Sequence, residues 1–146
     1  MKKLMALVLT LVCTLMFAGC DLSLLMGLSS GGKSVAEVEK TENMVVITVN
    51  EAEDGVTLLS VMETLQAEGK LSYEYGADGM VTSIEGKENA ADWSACWMLY
   101  TSDAELANTD WGAVEYHGES YGSAVVGASA LEVIDGGIYI WSYQSF

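Results

Sequence analysis

Hydrophobic and polar positions divide the chain into three stretches. Leu4–Phe17 is an almost unbroken apolar run behind Lys2 and Lys3. Residues 20–43 keep no sustained period, and Ser, Gly and charge dominate their second half. From Met44 the pattern becomes regular. Val45, Ile47 and Val49 alternate with their neighbours up to Asn50, which predicts a β-strand. After an acidic turn at Glu51–Gly55, Leu58, Val61, Met62 and Leu65 recur at helical spacing, with Thr57 as N-cap and Gly69 as stop. Short strands are predicted at Leu71–Tyr75, Met80–Glu85 and Ala95–Thr101. Two more, Ser129–Ile134 and Ile138–Tyr143, are predicted to form a hairpin through Asp135-Gly136-Gly137. Residues 102–128 are rich in Gly, Tyr and Ser and too long for a structureless loop, so Trp111–Tyr116 and Ala124–Val126 are further strand candidates. One helix with several strands predicts a small α+β domain over residues 44–146.

The apolar run at the start is too short to cross a bilayer, which takes about 20 apolar residues, so it reads as a secretory signal. It ends in Phe17-Ala18-Gly19-Cys20. These residues resemble the lipobox of bacterial lipoproteins, with Phe17 where Leu is more usual. The resemblance implies a signal peptide over residues 1–19 and a diacylglycerol thioether on Cys20, the lipid-attachment residue. The expected partner is then the membrane, with the protein extracytoplasmic and anchored to the cell membrane by lipid. An ordinary signal peptide cut elsewhere is the alternative. Residues 20–43 become a flexible tether spanning about 25 Å root-mean-square.

Composition sharpens this picture. Six basic residues, all Lys, stand against 21 Asp+Glu, for a formal charge of −15 in 146 residues. Phosphate contacts need a basic face, so nucleic acid is excluded as a partner. Such a domain is held off anionic lipid rather than laid on it. Of the three Cys, Cys13 would leave with the signal and Cys20 would carry lipid, so Cys96 is left without a disulfide partner.

The order of a first strand, a Thr-Leu-Leu helix and a Gly-flanked strand at Val81-Thr-Ser-Ile84 resembles a small domain of secreted and lipid-anchored bacterial proteins. A Trp97-x-x-Tyr100 segment and the closing Asp135-Gly-Gly-Ile-Tyr-Ile-Trp-Ser-Tyr143 extend the likeness. That domain is similar to the C-terminal domain of the cobalamin carriers transcobalamin and intrinsic factor. The chain departs from the family pattern where Thr101-Ser102-Asp103 replaces the usual Asn-Gly, where Gly137 replaces the last Asp of Asp-Gly-Asp, and in a longer insertion. The resemblance implies a β-grasp-like sheet packed on one helix, and it suggests a flat, corrinoid-like ligand.

Several chemical motifs are weaker than they look. Gly27 to Ser34 satisfies G-x-x-x-x-G-K-S, but a phosphate loop needs a buried strand before it and a helix after it, and neither is predicted. Cys96 with His117 could form a nucleophile and base of a surface hydrolase, yet Cys96 alternates with Met98 and Tyr100 as a core residue would. Asn50, Glu51, Glu53 and Asp54 offer oxygen ligands for calcium without the spacing of an EF-hand. We therefore expect no catalytic residues, no metal site and no cofactor. Aromatic residues crowd the C-terminal half, and in the last strand Tyr139, Trp141 and Tyr143 face away from Ile138 and Ile140. With Trp111 and Tyr116 they form the expected ligand-binding surface, suited to stacking on a small flat ligand, a sugar or a surface protein. The function expected is a non-enzymatic binding module at the cell surface; a structural or adhesive protein–protein module is the alternative.

Overall fold

The structure, a computed structural model, describes residues 35–146. Cys20, the signal segment and the Gly27–Ser34 motif lie outside the described residues. Among the described residues the fold is sheet-rich α+β, with one short helix. Its elements in chain order are β1 (Val35–Lys40), β2 (Met44–Glu51), α1 (Leu58–Ala67), β3 (Tyr73–Tyr75), β4 (Val81–Ile84), β5 (Lys87–Glu88), β6 (Ala95–Thr101), β7 (Ala107–Tyr116), β8 (Glu119–Ala124) and β9 (Gly137–Ser145).

Six strands form one sheet in the order β1-β2-β9-β6-β8-β7, and β3-β4-β5 form a second. Every pairing is antiparallel. Strand β9 lies between β2 and β6, so both its edges are paired, and packing on both faces leaves Gly137 to Ser142 alternating little in exposure. On one face Tyr139 and Trp141 join Val45, Ile47, Val49, Trp97 and Leu99 beneath Leu58, Val61, Met62 and Leu65 of α1. On the other, Val46, Tyr100, Tyr121 and Ile140 form a smaller cluster, flanked by Val114 and Tyr116. A flat six-stranded sheet would hold its edges about 24 Å apart at about 4.8 Å per strand. The Tyr116 phenol nonetheless meets the Glu39 carboxylate, so edge strands β7 and β1 approach each other across this face. The sheet is strongly curled.

Helix α1 starts where its free N–H groups find partners. Leu58 N donates to Leu131 O (2.8 Å), Leu59 N to Ala128 O (2.9 Å) and Ser60 N to Thr57 Oγ1 (3.4 Å). It stops at Gly69, whose φ of +72° suits glycine, with Lys70 N returning to Leu65 O at 2.8 Å. Thr57→Ala removes the cap and is expected to cost about 1 kcal/mol, read as a lower urea midpoint with unchanged slope.

Three expectations need correction. Val35–Lys40, expected to belong to the flexible segment 20–43, is a strand paired with β2. Ser129–Ile134 is not a strand: Leu131 O accepts from the start of α1, Thr57 and Glu132 form an isolated bridge, and Val133 N donates to Val56 O. The hairpin through Asp135-Gly136-Gly137 is therefore absent, although Gly137 N still closes a turn on Ile134 O. Residues 102–128 hold the β7–β8 hairpin, turned at His117 (φ +51°) and Gly118 (φ +83°).

Candidate functional site

The five residues expected to form one ligand surface fall in separate places. Tyr139 is fully buried; its hydroxyl accepts a hydrogen bond from Ile134 N at 2.9 Å. Trp141 is 5% exposed and belongs to the same core. The aromatic face of β9 is thus interior rather than open, because α1 and the segment around Leu131 cover it. Tyr143 is half-buried, edge-on to Trp97 at 5.3 Å, with Lys87 Nζ 4.2 Å above its ring and its hydroxyl donating to Glu88 O. Tyr116 lies on the second face, stacked on His117 at 4.0 Å.

Trp111 sits at the surface in a bulge of β7. Asn108 pairs with Ser123 and Ala113 with Gly122, so residues 109–112 have no partner on β8. Gly112, at φ +123°, lets the chain return to register. Trp111 is 64% exposed, so Trp111→Ala is expected to change stability by less than about 0.5 kcal/mol; a thermal melt checks this.

Of these residues, Trp141 is the one that meets a cavity. A groove of about 310 Å³ runs between the large sheet and the β3–β4 turn, at the small end of ligand sites. Trp97, Leu99 and Trp141 form its floor, Tyr75 and Gly79–Val81 one wall, and Ser123–Ala128 the other. Met80 and Val125 stand 47% and 38% exposed there. No lining side chain is charged. The two floor indoles differ. Trp97 is fixed: its Nε1–H donates to Lys87 O at 2.8 Å, its backbone N–H to Asn89 Oδ1, and Asn89 Nδ2 to Val81 O. The Trp141 Nε1–H is buried and has no partner among the described residues. Tyr75, Met80 and Val125 went unnoticed in sequence reasoning. Their one signal there is an apolar residue beside a glycine-bounded turn, as in Gly79-Met80 and Val125-Val126-Gly127.

The catalytic pair does not assemble. Cys96 pairs with Gln144 at one end of β6, whereas Thr101 at the other end pairs with Gly122, and the His117 turn lies beyond it. Cys96 is buried, with Sγ 3.7 Å from Met98 Sδ, and burial pushes its thiol above the ordinary range. The acidic turn is tied by Ala52 N donating to Asp135 Oδ1 at 2.6 Å. Among the described residues no group of three or more His, Cys, Asp or Glu could hold a metal ion.

Burial also raises Tyr73, Tyr100, Tyr116, Tyr121 and Tyr139 above the usual phenol value of 10.0. The unfolded chain then releases these protons at lower pH than the folded one, so it binds fewer protons in that range. Their contribution to stability is complete below about pH 9 and is lost as pH rises past 10. Urea midpoints at pH 8 and pH 10.5 are expected to show that drop.

A family model described as a domain of unknown function (DUF4430) matches residues 55–115. The match runs from the turn before α1 into β7 and includes the Tyr75, Met80 and Trp97 sides of the groove. Strands β8 and β9, with Trp141, fall outside it. No curated protein and no solved structure matches the chain.

Proposed function

We propose that the protein is a lipid-anchored module at the cell surface, without enzymatic activity, that holds a small ligand in the groove between Trp141 and Met80. The observation that carries this reading is the groove itself: an uncharged, largely apolar cleft floored by two indoles in a chain of charge −15. The lipobox-like Phe17-Ala18-Gly19-Cys20 supports the anchor. The packing of α1 on one face of the large sheet supports the likeness to the β-grasp-like C-terminal domain of transcobalamin. A corrin macrocycle exceeds a cleft of about 310 Å³ and could bury only an edge, so smaller ligands suit it better.

Two experiments test the reading. Incorporation of labelled palmitate that Cys20→Ala abolishes establishes the anchor; incorporation unaffected by that change removes it. Thermal melting against corrinoids, sugars and small aromatic molecules tests the groove, since a ligand at 100 times its Kd stabilises by about 2.7 kcal/mol. A shift lost in Met80→Asp and kept in Trp111→Ala supports the groove. The opposite pattern favours the second reading, an adhesive contact with another protein through the exposed Trp111 bulge.

A further inference from the structure

A second cavity, of about 230 Å³, opens on the small β3-β4-β5 sheet. It shares no lining residue with the groove: alternation along β3 and β4 gives Tyr75 and Val81 to the groove and Glu74 and Thr82 to this cavity. We infer that it is a separate binding site, formed by the Trp93 indole with the Glu74 and Glu88 carboxylates, and that it takes a small organic ammonium ion.

Three observations carry it. First, Trp93 lines the cavity half exposed, at φ +59°, a conformation that a bulky residue rarely adopts. Its neighbours impose that conformation: Trp93 N donates to Ala90 O at 2.9 Å, and Asp92 Oδ1 accepts from Ser94 N and Ser94 Oγ at 3.1 and 2.7 Å. Partial burial of the ring offsets little of the strain, and strain of this kind gathers at binding sites. An indole face attracts a cation through its quadrupole and an alkyl chain through apolar contact. Second, Glu74 and Glu88 both pair with Ser83, from opposite sides, so they share a face of the sheet with backbones about 10 Å apart. Neither carboxylate has a partner among the described residues, where the three lysines are engaged elsewhere: Lys40 with Glu85, Lys70 with Glu68, and Lys87 with Asn43 Oδ1 and the Tyr143 ring. Third, the neutral polar side chains of the lining are already committed. Asn89 Oδ1 accepts from Trp97 N, its Nδ2 donates to Val81 O, and Thr82 Oγ1 donates to Glu74 O. What stays open is carboxylate oxygen, so the complementary ligand is a donor, and an ammonium brings three N–H groups together with the opposite charge. The two carboxylates and the net charge of −15 repel anions. A bare metal ion is not served, since no third His, Cys, Asp or Glu joins the pair.

The test uses the full chain in detergent, labelled with nitrogen-15, and three probes of one carbon length: n-butylammonium, n-butanol and butyrate. The four tryptophans give four indole N–H signals, and Trp93→Phe identifies the one of interest. Butylammonium is expected to move the Trp93 indole signal saturably, together with the Thr82 and Ala91 amides, while the Gly127 and Ala128 amides of the groove stay still. It is expected to bind at least about tenfold tighter than butanol or butyrate. With both Glu74→Gln and Glu88→Gln in place, its affinity is expected to fall roughly 2- to 10-fold, the loss of two exposed ion pairs. Nα-acetyl-lysine amide carries the same ammonium on a peptide unit: tighter binding than butylammonium assigns the site to lysine side chains of a partner protein, weaker binding to free amines. Butanol or butyrate binding as tightly as the amine would overturn the ligand class. An amine affinity unchanged by the two glutamines would overturn the site, because net charge alone would then be gathering the amine. No response of the Trp93 signal to any amine would sink the inference and leave the groove reading standing, since the groove amides report on that site separately.

Discussion

Tyr139→Ala is expected to cost about 3–5 kcal/mol, a third or more of the stability of a domain of this size. Tyr139 is fully buried in the central strand, opposite Ile47 on β2 and Thr101 on β6. Removing the ring leaves a cavity that two hydrogen-bonded neighbour strands cannot easily close. It also orphans Ile134 N–H, which now donates to the phenol oxygen. Tyr139→Phe keeps the ring and loses the acceptor, so about 1–2 kcal/mol is expected from the unpaired N–H alone. Urea unfolding of both variants checks the pair. A cost below about 1 kcal/mol for the alanine variant would mean that β9 does not bury its aromatic face. The same reasoning makes Trp141→Ala a poor probe of binding, since a loss of ligand response there would mix packing with recognition. Met80, at the mouth and half exposed, separates the two.

Where pattern and local geometry act within a few residues, the sequence was readable. Ala95–Thr101 is a strand with the boundaries its alternation predicts, and α1 runs from the Thr57 cap toward Gly69 as its spacing requires. The division of β9 into two faces was also legible, but the face that becomes interior was not. Alternation separates Tyr139 and Trp141 from Ile138 and Ile140; the location of α1 decides which set it covers, and that depends on the distant pairing of β9 between β2 and β6. Strand β1 escaped notice because Glu37, Glu39 and Lys40 give it the charged composition of an edge strand. The β7–β8 turn was hidden by His117, which holds φ +51° where Asn or Asp is the usual signal. The groove was least legible of all, since its walls come from four separate segments that meet only once the chain has folded.

The second large effect is expected at Gly137. Its φ is not in the left-handed region, so the demand for glycine comes from space rather than backbone conformation. A Cβ there would stand 2.6 Å from the Tyr139 hydroxyl oxygen and 2.8 Å from Ile134 O. The first could swing away only by giving up the bond to Ile134 N, and the second is backbone, fixed by the turn that Gly137 N closes. Gly137→Ala is therefore expected to cost about 3 kcal/mol, as overpacking and a displaced hydrogen bond combine. The mechanism has its own signature. In a Tyr139→Phe background the closest contact is gone and the Ile134 bond is already lost, so the two costs should fall short of additivity by at least about 0.5 kcal/mol. Full additivity in that cycle would place the strain on Ile134 O and on Tyr139 Cε2, 2.9 Å from that Cβ, both of which the Phe background keeps. A Gly137→Ala cost within about 0.5 kcal/mol of zero would show that the turn yields without penalty.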